Sequence, residues 1–207
     1  MTSWAAHERS ALVDVLHELG PDAPTLCEGW TTKDLAAHVY VRERRPDAAI
    51  GVLPLGPLSA YTERVMASVL RVHGYDEIVQ RLRTVAPIVR IAHLDEAINT
   101  VEFFVHTEDA RRPNGLPPRD MPEEFERKIW GRLSKQGRMS FRRVKARVRL
   151  VPTVGEPVEF GTGETVEVRG RPSELLLLAY NRKADAKVDL LGDGAAVEAL
   201  QSARLGL

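Results

Sequence analysis

Three side chains in this sequence could together hold a divalent metal ion: His38, Glu102 and His106. Glu102 and His106 are four residues apart in the helical segment NTVEFFVHTEDA, so they lie on one helix face, one turn apart. His38 belongs to a second helical segment, WTTKDLAAHVY, and can supply a ligand from a neighbouring helix. Two imidazoles and one carboxylate leave a position on Zn²⁺ for water or substrate, which favours Lewis-acid chemistry over a purely structural ion.

Each of these residues also has an ordinary interpretation. A Glu–His pair at this spacing is commonly a hydrogen-bonded surface pair, and a single histidine is more often a core or surface residue than a ligand. Nothing in the spacing forces the two helices into contact. Four other histidines compete for the role, and each is by default a surface or interface residue: His7, His17, His73 and His93.

Helical segments dominate the part of the chain that must position these ligands. Apolar residues recur there at helical spacing, and proline or glycine separates most of the segments. Thr31 and Asp34 form a capping-box pattern that sets the start of the helix carrying His38. Residues 51–58 predict a loop. The predicted helices cover residues 3–19, 31–45, 58–74, 76–85, 94–112 and 123–136.

The last ~65 residues change to a mixed pattern. Apolar and charged residues alternate from Val144 to Leu150, which indicates a half-buried strand. Further strands are predicted at 158–160, 165–169 and 187–190, and helices at 173–182 and 196–205. We therefore predict an α+β chain with a metal-binding helix bundle at 1–140 and a small α+β domain at 141–207.

Composition excludes several classes of function. The 29 basic and 29 acidic residues cancel, which argues against a dedicated nucleic-acid binder. The single cysteine, Cys27, rules out an internal disulfide and fits a reducing cytoplasm. No signal peptide or membrane-spanning run is visible, so we expect a soluble cytoplasmic protein that binds no membrane. One basic cluster could attract an anionic ligand or nucleic acid, although a solvated strand face is the simpler interpretation: Arg138, Arg142, Arg143, Lys145, Arg147 and Arg149.

The segment LCEGWTTKDLAAH resembles the DinB-like metal-binding helix-bundle superfamily, specifically its mycothiol-dependent maleylpyruvate isomerase branch. In that branch a Gly-Trp-Thr/Ser turn opens the second helix and a histidine follows, as His38 does here. The later Glu-x-x-x-His signature is met by Glu102 and His106, and NTVEFFVHTED looks like an uncharacterised actinobacterial metal-binding subfamily. The resemblance covers roughly residues 3–112. It implies an up-and-down four-helix bundle whose His38, Glu102 and His106 bind a divalent metal, usually zinc.

The segment GRPSELLLLAYNR resembles, more weakly, the small sterol-carrier-like domain that follows the bundle in the isomerase. By that analogy Arg182 helps to bind an anionic substrate. Its ordinary interpretation is a cap on the helix C-terminus, where the helix dipole favours a cation.

The resemblance further implies an enzyme that uses mycothiol, whose sulfur becomes a thiolate on the metal and adds to a small electrophile. The reaction would then be thiol transfer or isomerisation, with a small-molecule thiol and an electrophile as partners. No general base stands out among Asp34, Glu108 and Asp109, and such carboxylates could instead orient the histidines. The alternative is a non-catalytic metal-binding or thiol/redox-sensing module in which Cys27 or another histidine closes the fourth position. Cys27 itself is more simply a small buried residue.

Overall fold

The computed structural model describes residues 3–45, 57–85, 96 and 99–206, with side chains from residue 60 onward in the second range. The chain divides into two compact units, Met1–Pro118 and Arg119–Leu207. Most of the predicted loop at 51–58 and the first part of the predicted helix at 94–112 lie outside the described residues. His93 lies outside them as well.

Helices build the described part of the first unit. The helices are α1 Trp4–Leu19, α2 Thr32–Arg44, α3 Pro57–Leu82 and α4 Thr100–Arg111, and a 3₁₀ turn Arg112–Asn114 follows α4. Helix α1 packs along α4, and α2 packs along α3. All four helices contribute to one buried apolar core, whose members include Leu12, Leu16, Leu35, Val39, Val65, Ile78, Phe103 and Ala110.

Local sequence signals explain two features of the helices in this unit. The carboxylate of Asp34 accepts hydrogen bonds from the backbone N–H and hydroxyl of Thr31, each at 3.0 Å, which fixes the start of α2. Helix α3 is broken at Gly74, whose φ of 69° lies in the left-handed region that glycine adopts without strain. The predicted break between two helical segments at this residue is confirmed.

The second unit combines a four-stranded sheet with helices, so the predicted α+β class is confirmed. Its elements are α5 Glu123–Phe141, β1 Arg147–Pro152, β2 Val158–Phe160, β3 Thr165–Gly170, α6 Pro172–Ala179, β4 Asp189–Gly192 and α7 Gly194–Ser202. The strand order is β2-β1-β3-β4, with β1 parallel to β3 and the outer pairs antiparallel. Val148 and Leu150 of β1 are fully buried whereas Arg147 and Arg149 are exposed, as the alternating pattern predicts.

The division between the units falls at residues 118 and 119, earlier than the predicted boundary after residue 140. Helix α5 packs on α6 and β2, and therefore belongs to the second unit. Its Trp130 donates a hydrogen bond from Nε1 to the carbonyl of Glu156, at 3.1 Å. The amphipathic pattern of α5 predicts that one face is buried, but it does not specify which core receives that face.

Within the described ranges, no helix combines the length and hydrophobicity needed to cross a membrane.

Candidate metal centre

The three predicted ligands converge in the first unit. Helix α2 contributes His38, and α4 contributes Glu102 and His106. Both imidazoles direct Nε2 towards Glu102 Oε1, His106 at 3.2 Å and His38 at 3.8 Å. One ligand atom from each residue lies within 4.8 Å of the other two. In a tetrahedral zinc site with bonds of about 2.0–2.2 Å, neighbouring N and O ligands are about 3.4 Å apart. The spacing therefore fits a metal ion bound between α2 and α4.

The site is partly enclosed. His38 and His106 are each 7% exposed, whereas the Glu102 side chain is 22% exposed, so the cluster reaches solvent along the carboxylate. The two imidazole rings meet edge to face, with centroids 5.1 Å apart. The Trp30 ring also packs against the His38 imidazole, tilted by 52° at a centroid distance of 5.0 Å. Packing of this kind restricts the His38 rotamer and holds its nitrogen towards the site.

The carboxylate of Glu102 is the electrostatic centre of this cluster. Burial opposes its charge, but interaction with the imidazoles of His106 and His38 outweighs burial and holds the pKa of Glu102 well below its usual value. Arg42 adds a second cation, with Nε 3.4 Å from Glu102 Oε1. Burial lowers the pKa of His38, against the opposing effect of Glu102. Near neutral pH the site thus offers a carboxylate and a neutral imidazole, the forms that bind a metal.

His106 is held by carboxylates at both ring nitrogens. Its Nδ1 lies 3.0 Å from Asp109 Oδ2, which places this nitrogen to donate a hydrogen bond to the carboxylate. Burial opposes a charged imidazole, but the hydrogen bonds to Asp109, Cys27 and Glu102 raise the pKa of His106 well above its usual value. A carboxylate on the far nitrogen orients a metal-binding histidine and increases its basicity. Asp109 therefore presents Nε2 of His106 to the candidate metal position.

The other two candidate bases have different roles. Asp34 caps α2 through Thr31. Glu108 is fully buried and accepts a hydrogen bond from Arg112 Nε at 2.8 Å. Asp109, the third of these carboxylates, contacts the predicted ligand His106.

Cys27 contacts the carboxylate that holds Nδ1 of His106. Its Sγ is 3.3 Å from Asp109 Oδ2, and the backbone N–H of Leu26 donates to the Asp109 carbonyl at 3.0 Å. The thiol is partly rather than fully buried. Cys27, His106 and Asp109 form a second group with metal-compatible spacing, and no such group among the described residues combines Cys27 with His38.

A chain of buried polar contacts, which the sequence alone does not predict, leads away from the site. Arg42 Nη1 donates to Asn99 Oδ1 at 2.6 Å, and Asn99 Nδ2 donates to Glu43 Oε1 at 3.3 Å. Glu43 in turn accepts two hydrogen bonds of 2.6 Å from Arg9, and both side chains are almost completely buried. Arg42 follows His38 by one helical turn, so the two side chains lie on the same face of α2. This spacing is the sequence signal for the approach of Arg42 to Glu102.

Arg182 belongs to the second unit and to a different set of side chains. It follows the end of α6, where its Nη1 donates to the carbonyl of Tyr180 at 2.6 Å. It also lines a cavity of about 280 Å³ together with Arg132 and Arg204. The carbonyl contact is the one expected of a C-terminal cap, and the cavity is where an anionic ligand would meet the guanidinium.

The remaining predicted residues are exposed or lie outside the candidate site. Among the described residues, His7, His17 and His73 belong to no group with metal-compatible spacing. Every residue of the predicted basic cluster is exposed. Arg149 lies 3.9 Å from Glu159 and 3.6 Å from Glu167, as on a solvated strand face.

Comparison of the chain with protein-family models, with curated proteins and with solved structures finds no match. Function is therefore inferred from the residues and their geometry. The geometry provides two clusters of His, Cys, Asp and Glu side chains that could hold a metal ion.

Proposed function

We propose that the first unit is a DinB-like metal-binding bundle and that His38, Glu102 and His106 bind zinc in it. The observation that carries the proposal is the convergence of both Nε2 atoms on Glu102 Oε1, at 3.2 and 3.8 Å. An N₂O donor set of this kind suits zinc and leaves one position for an exogenous ligand. Asp109 supports this role, since it holds the opposite nitrogen of His106.

We further propose that the unit is a thiol-dependent enzyme, with mycothiol as the thiol and a small electrophile as the substrate. Zinc at this site would act as a Lewis acid that favours the thiolate over the thiol at neutral pH. Arg42 supports an anionic ligand here, because its guanidinium lies beside Glu102 and adds positive charge at the margin of the cluster. Attack of the sulfur on the electrophile would give thiol transfer or isomerisation.

For the second unit we propose a sterol-carrier-like domain in which Arg182 helps to bind an anionic substrate. The cavity shared by Arg132, Arg182 and Arg204 supports this role. Arg182→Gln should then raise KM while leaving kcat and metal content unchanged, whereas the exposed Arg138→Gln on α5 should change neither constant. If Arg182 only caps α6, its substitution lowers thermal stability and KM does not change.

A non-catalytic metal-binding or thiol-sensing module is the second candidate. The observation in its favour is the position of Cys27, whose thiol contacts Asp109 beside His106. A sensor needs a reactive thiol coupled to its metal, and this contact provides such a coupling. A sensing role of this kind requires no catalytic turnover.

Measurement of the metal content of the protein, and then of its thiol-dependent turnover, distinguishes the enzyme from the non-catalytic module. Purified protein should contain one zinc per chain, and His106→Ala should lose it, while His73→Ala keeps it as a matched histidine control. Zinc that persists in His106→Ala at one per chain would refute the site. The metal-loaded protein should then consume a generic electrophile only when mycothiol is added. Stoichiometric metal without turnover for any thiol would favour the sensing module.

A further inference from the structure

The imidazole of His106 lies between two different sets of ligand atoms. On the Nε2 side are His38 and Glu102, the proposed zinc ligands. On the Nδ1 side, Asp109 Oδ2 lies 3.0 Å from Nδ1 and 3.3 Å from Cys27 Sγ. One nitrogen of His106, the Cys27 sulfur and an Asp109 carboxylate oxygen all lie within 4.8 Å of one another. A neutral imidazole has one nitrogen lone pair, so it can bind a metal through only one of these nitrogens at a time.

We infer that Cys27, His106 and Asp109 form a second metal site, selective for thiophilic ions, that is the alternative to the His38–Glu102–His106 site. The inference goes beyond the proposed function, which uses only the Nε2 side of the ring. A thiolate, an imidazole and a carboxylate make a softer donor set than two imidazoles and a carboxylate. The site would therefore take ions such as Cd²⁺ in preference to harder ones.

The measured spacing fits this second set. Asp109 Oδ2 lies 3.3 Å from Cys27 Sγ and 3.0 Å from His106 Nδ1. For tetrahedral bonds of about 2.3 Å to sulfur and about 2.1 Å to oxygen, the sulfur–oxygen separation is about 3.6 Å. Both separations from Asp109 Oδ2 therefore lie within a few tenths of an ångström of those in a tetrahedral coordination set.

The chain holds the Cys27 side chain in place at this set. The Leu26 N–H donates to the Asp109 carbonyl at 3.0 Å, which ties the loop before α2 to α4. The hydroxyl of Thr25 accepts from the Cys27 N–H at 3.2 Å and donates to the Trp30 carbonyl at 2.9 Å. The cysteine is thus presented by an ordered loop, which reduces the entropy lost on binding an ion.

The carboxylates of Glu102 and Asp109 exchange roles between the two sites. With a metal on Nε2, Glu102 is a ligand and Asp109 accepts the Nδ1 proton. With a metal on Nδ1, Asp109 is a ligand and the ring proton moves to Nε2, where Glu102 Oε1 lies 3.2 Å away to accept it. The thiol proton is released to solvent when the sulfur binds. Either tautomer of His106 therefore keeps both ring nitrogens satisfied, which is the condition for two alternative sites.

Cd²⁺ alone is the probe, because a thiolate–cadmium charge-transfer band in the near ultraviolet reports sulfur coordination. Cys27 is the only cysteine, so any such band comes from it. The metal-free protein should bind one Cd²⁺ and develop the band, and preloaded zinc should delay the band because both ions need His106. Cys27→Ser should abolish the band and weaken Cd²⁺ binding about 10–100-fold or more. Cys27→Ala serves the same purpose if the serine variant does not fold.

His38→Ala decides whether the two sites are separate. It should keep the Cd²⁺ band, since His38 is no ligand of the second set. Loss of the band in His38→Ala would show that Cys27 completes the first site, and absence of the band in the unsubstituted protein would show that Cys27 binds no ion. Binding of two ions per chain would refute the alternation. Zinc uptake by Cys27→Ser is measured separately and tests only the proposed function.

Discussion

Replacing Asp109 by Asn should change zinc affinity in a way that depends on pH. The substitution keeps the size of the side chain and leaves an oxygen that can accept from His106 Nδ1, but it removes the charge. Asp109 Oδ2 lies 3.0 Å from that nitrogen and the residue is fully buried, so no solvent compensates for the loss. Loss of such a carboxylate typically lowers metal affinity about 10–100-fold, or about 1.4–2.7 kcal/mol.

The same carboxylate also increases competition from protons. Asp109 helps to raise the pKa of His106 well above its usual value, so in the neutral range a metal must displace a proton from Nε2. The pKa of Glu102 and that of His38 are lowered, so neither carries a proton to displace there. Zinc affinity of the unsubstituted protein should fall about tenfold per pH unit below the His106 pKa. In Asp109→Asn this decline begins at lower pH, because the His106 pKa falls.

The assay is a zinc titration against a competing chelator from about pH 6 to about pH 9, a range that brackets the usual histidine pKa. At the alkaline end, Asp109→Asn should bind zinc about 10–100-fold more weakly than the unsubstituted protein. Towards the acid end, the zinc affinities of the two proteins should converge. Asp22→Asn, at an exposed aspartate of the same unit, is the matched control and should follow the unsubstituted protein. A ratio that stays constant with pH would refute the assigned role of Asp109.

Three further predictions concern stability. Glu43→Gln should cost about 3–5 kcal/mol in urea unfolding, because it leaves the buried Arg9 guanidinium without its carboxylate; a loss below 1 kcal/mol would contradict this. Burial raises the pKa of Tyr75 to about 12, so its contribution to stability is complete below pH 10 and is lost as pH rises through 12. An ultraviolet titration should show one phenol ionising near pH 12, absent in Tyr75→Phe, and the idea fails if the two titrations coincide. Gly137→Ala should destabilise the protein by about 1–3 kcal/mol in the same urea assay, since the new Cβ would lie 2.6 Å from the Phe160 ring, and unchanged stability would disprove that contact.

Much of the secondary structure follows from the sequence because its causes are local. The Thr31–Asp34 capping pattern sets the start of α2, and Gly74 breaks α3 where a left-handed φ is required. Alternation of apolar and charged residues locates β1. Each of these signals depends on residues close together in the chain, so a sequence pattern carries it without knowledge of the fold.

The assignment of α5 to the second unit could not be obtained in this way. An amphipathic helix fits a bundle core and a sheet equally well, and only the contacts of α5 with α6 and β2 decide between them. The buried pair Arg9 and Glu43 was missed for a similar reason. Charged residues are exposed by default, and burial becomes tolerable only when the partner arrives from another helix.

The sequence by itself determined that Glu102 and His106 share a helix face and that His38 lies about two turns after the Thr31 N-cap of another helix. Only the tertiary structure decided that the three face one another, because the approach of α2 to α4 depends on packing and not on spacing. It also decided the surroundings of His106. Asp109 binds one ring nitrogen from the same helix, and Cys27 reaches that carboxylate across 82 residues of chain. A helical period predicts neighbours along one helix, whereas the donor set around an imidazole depends on which segments the fold brings to it.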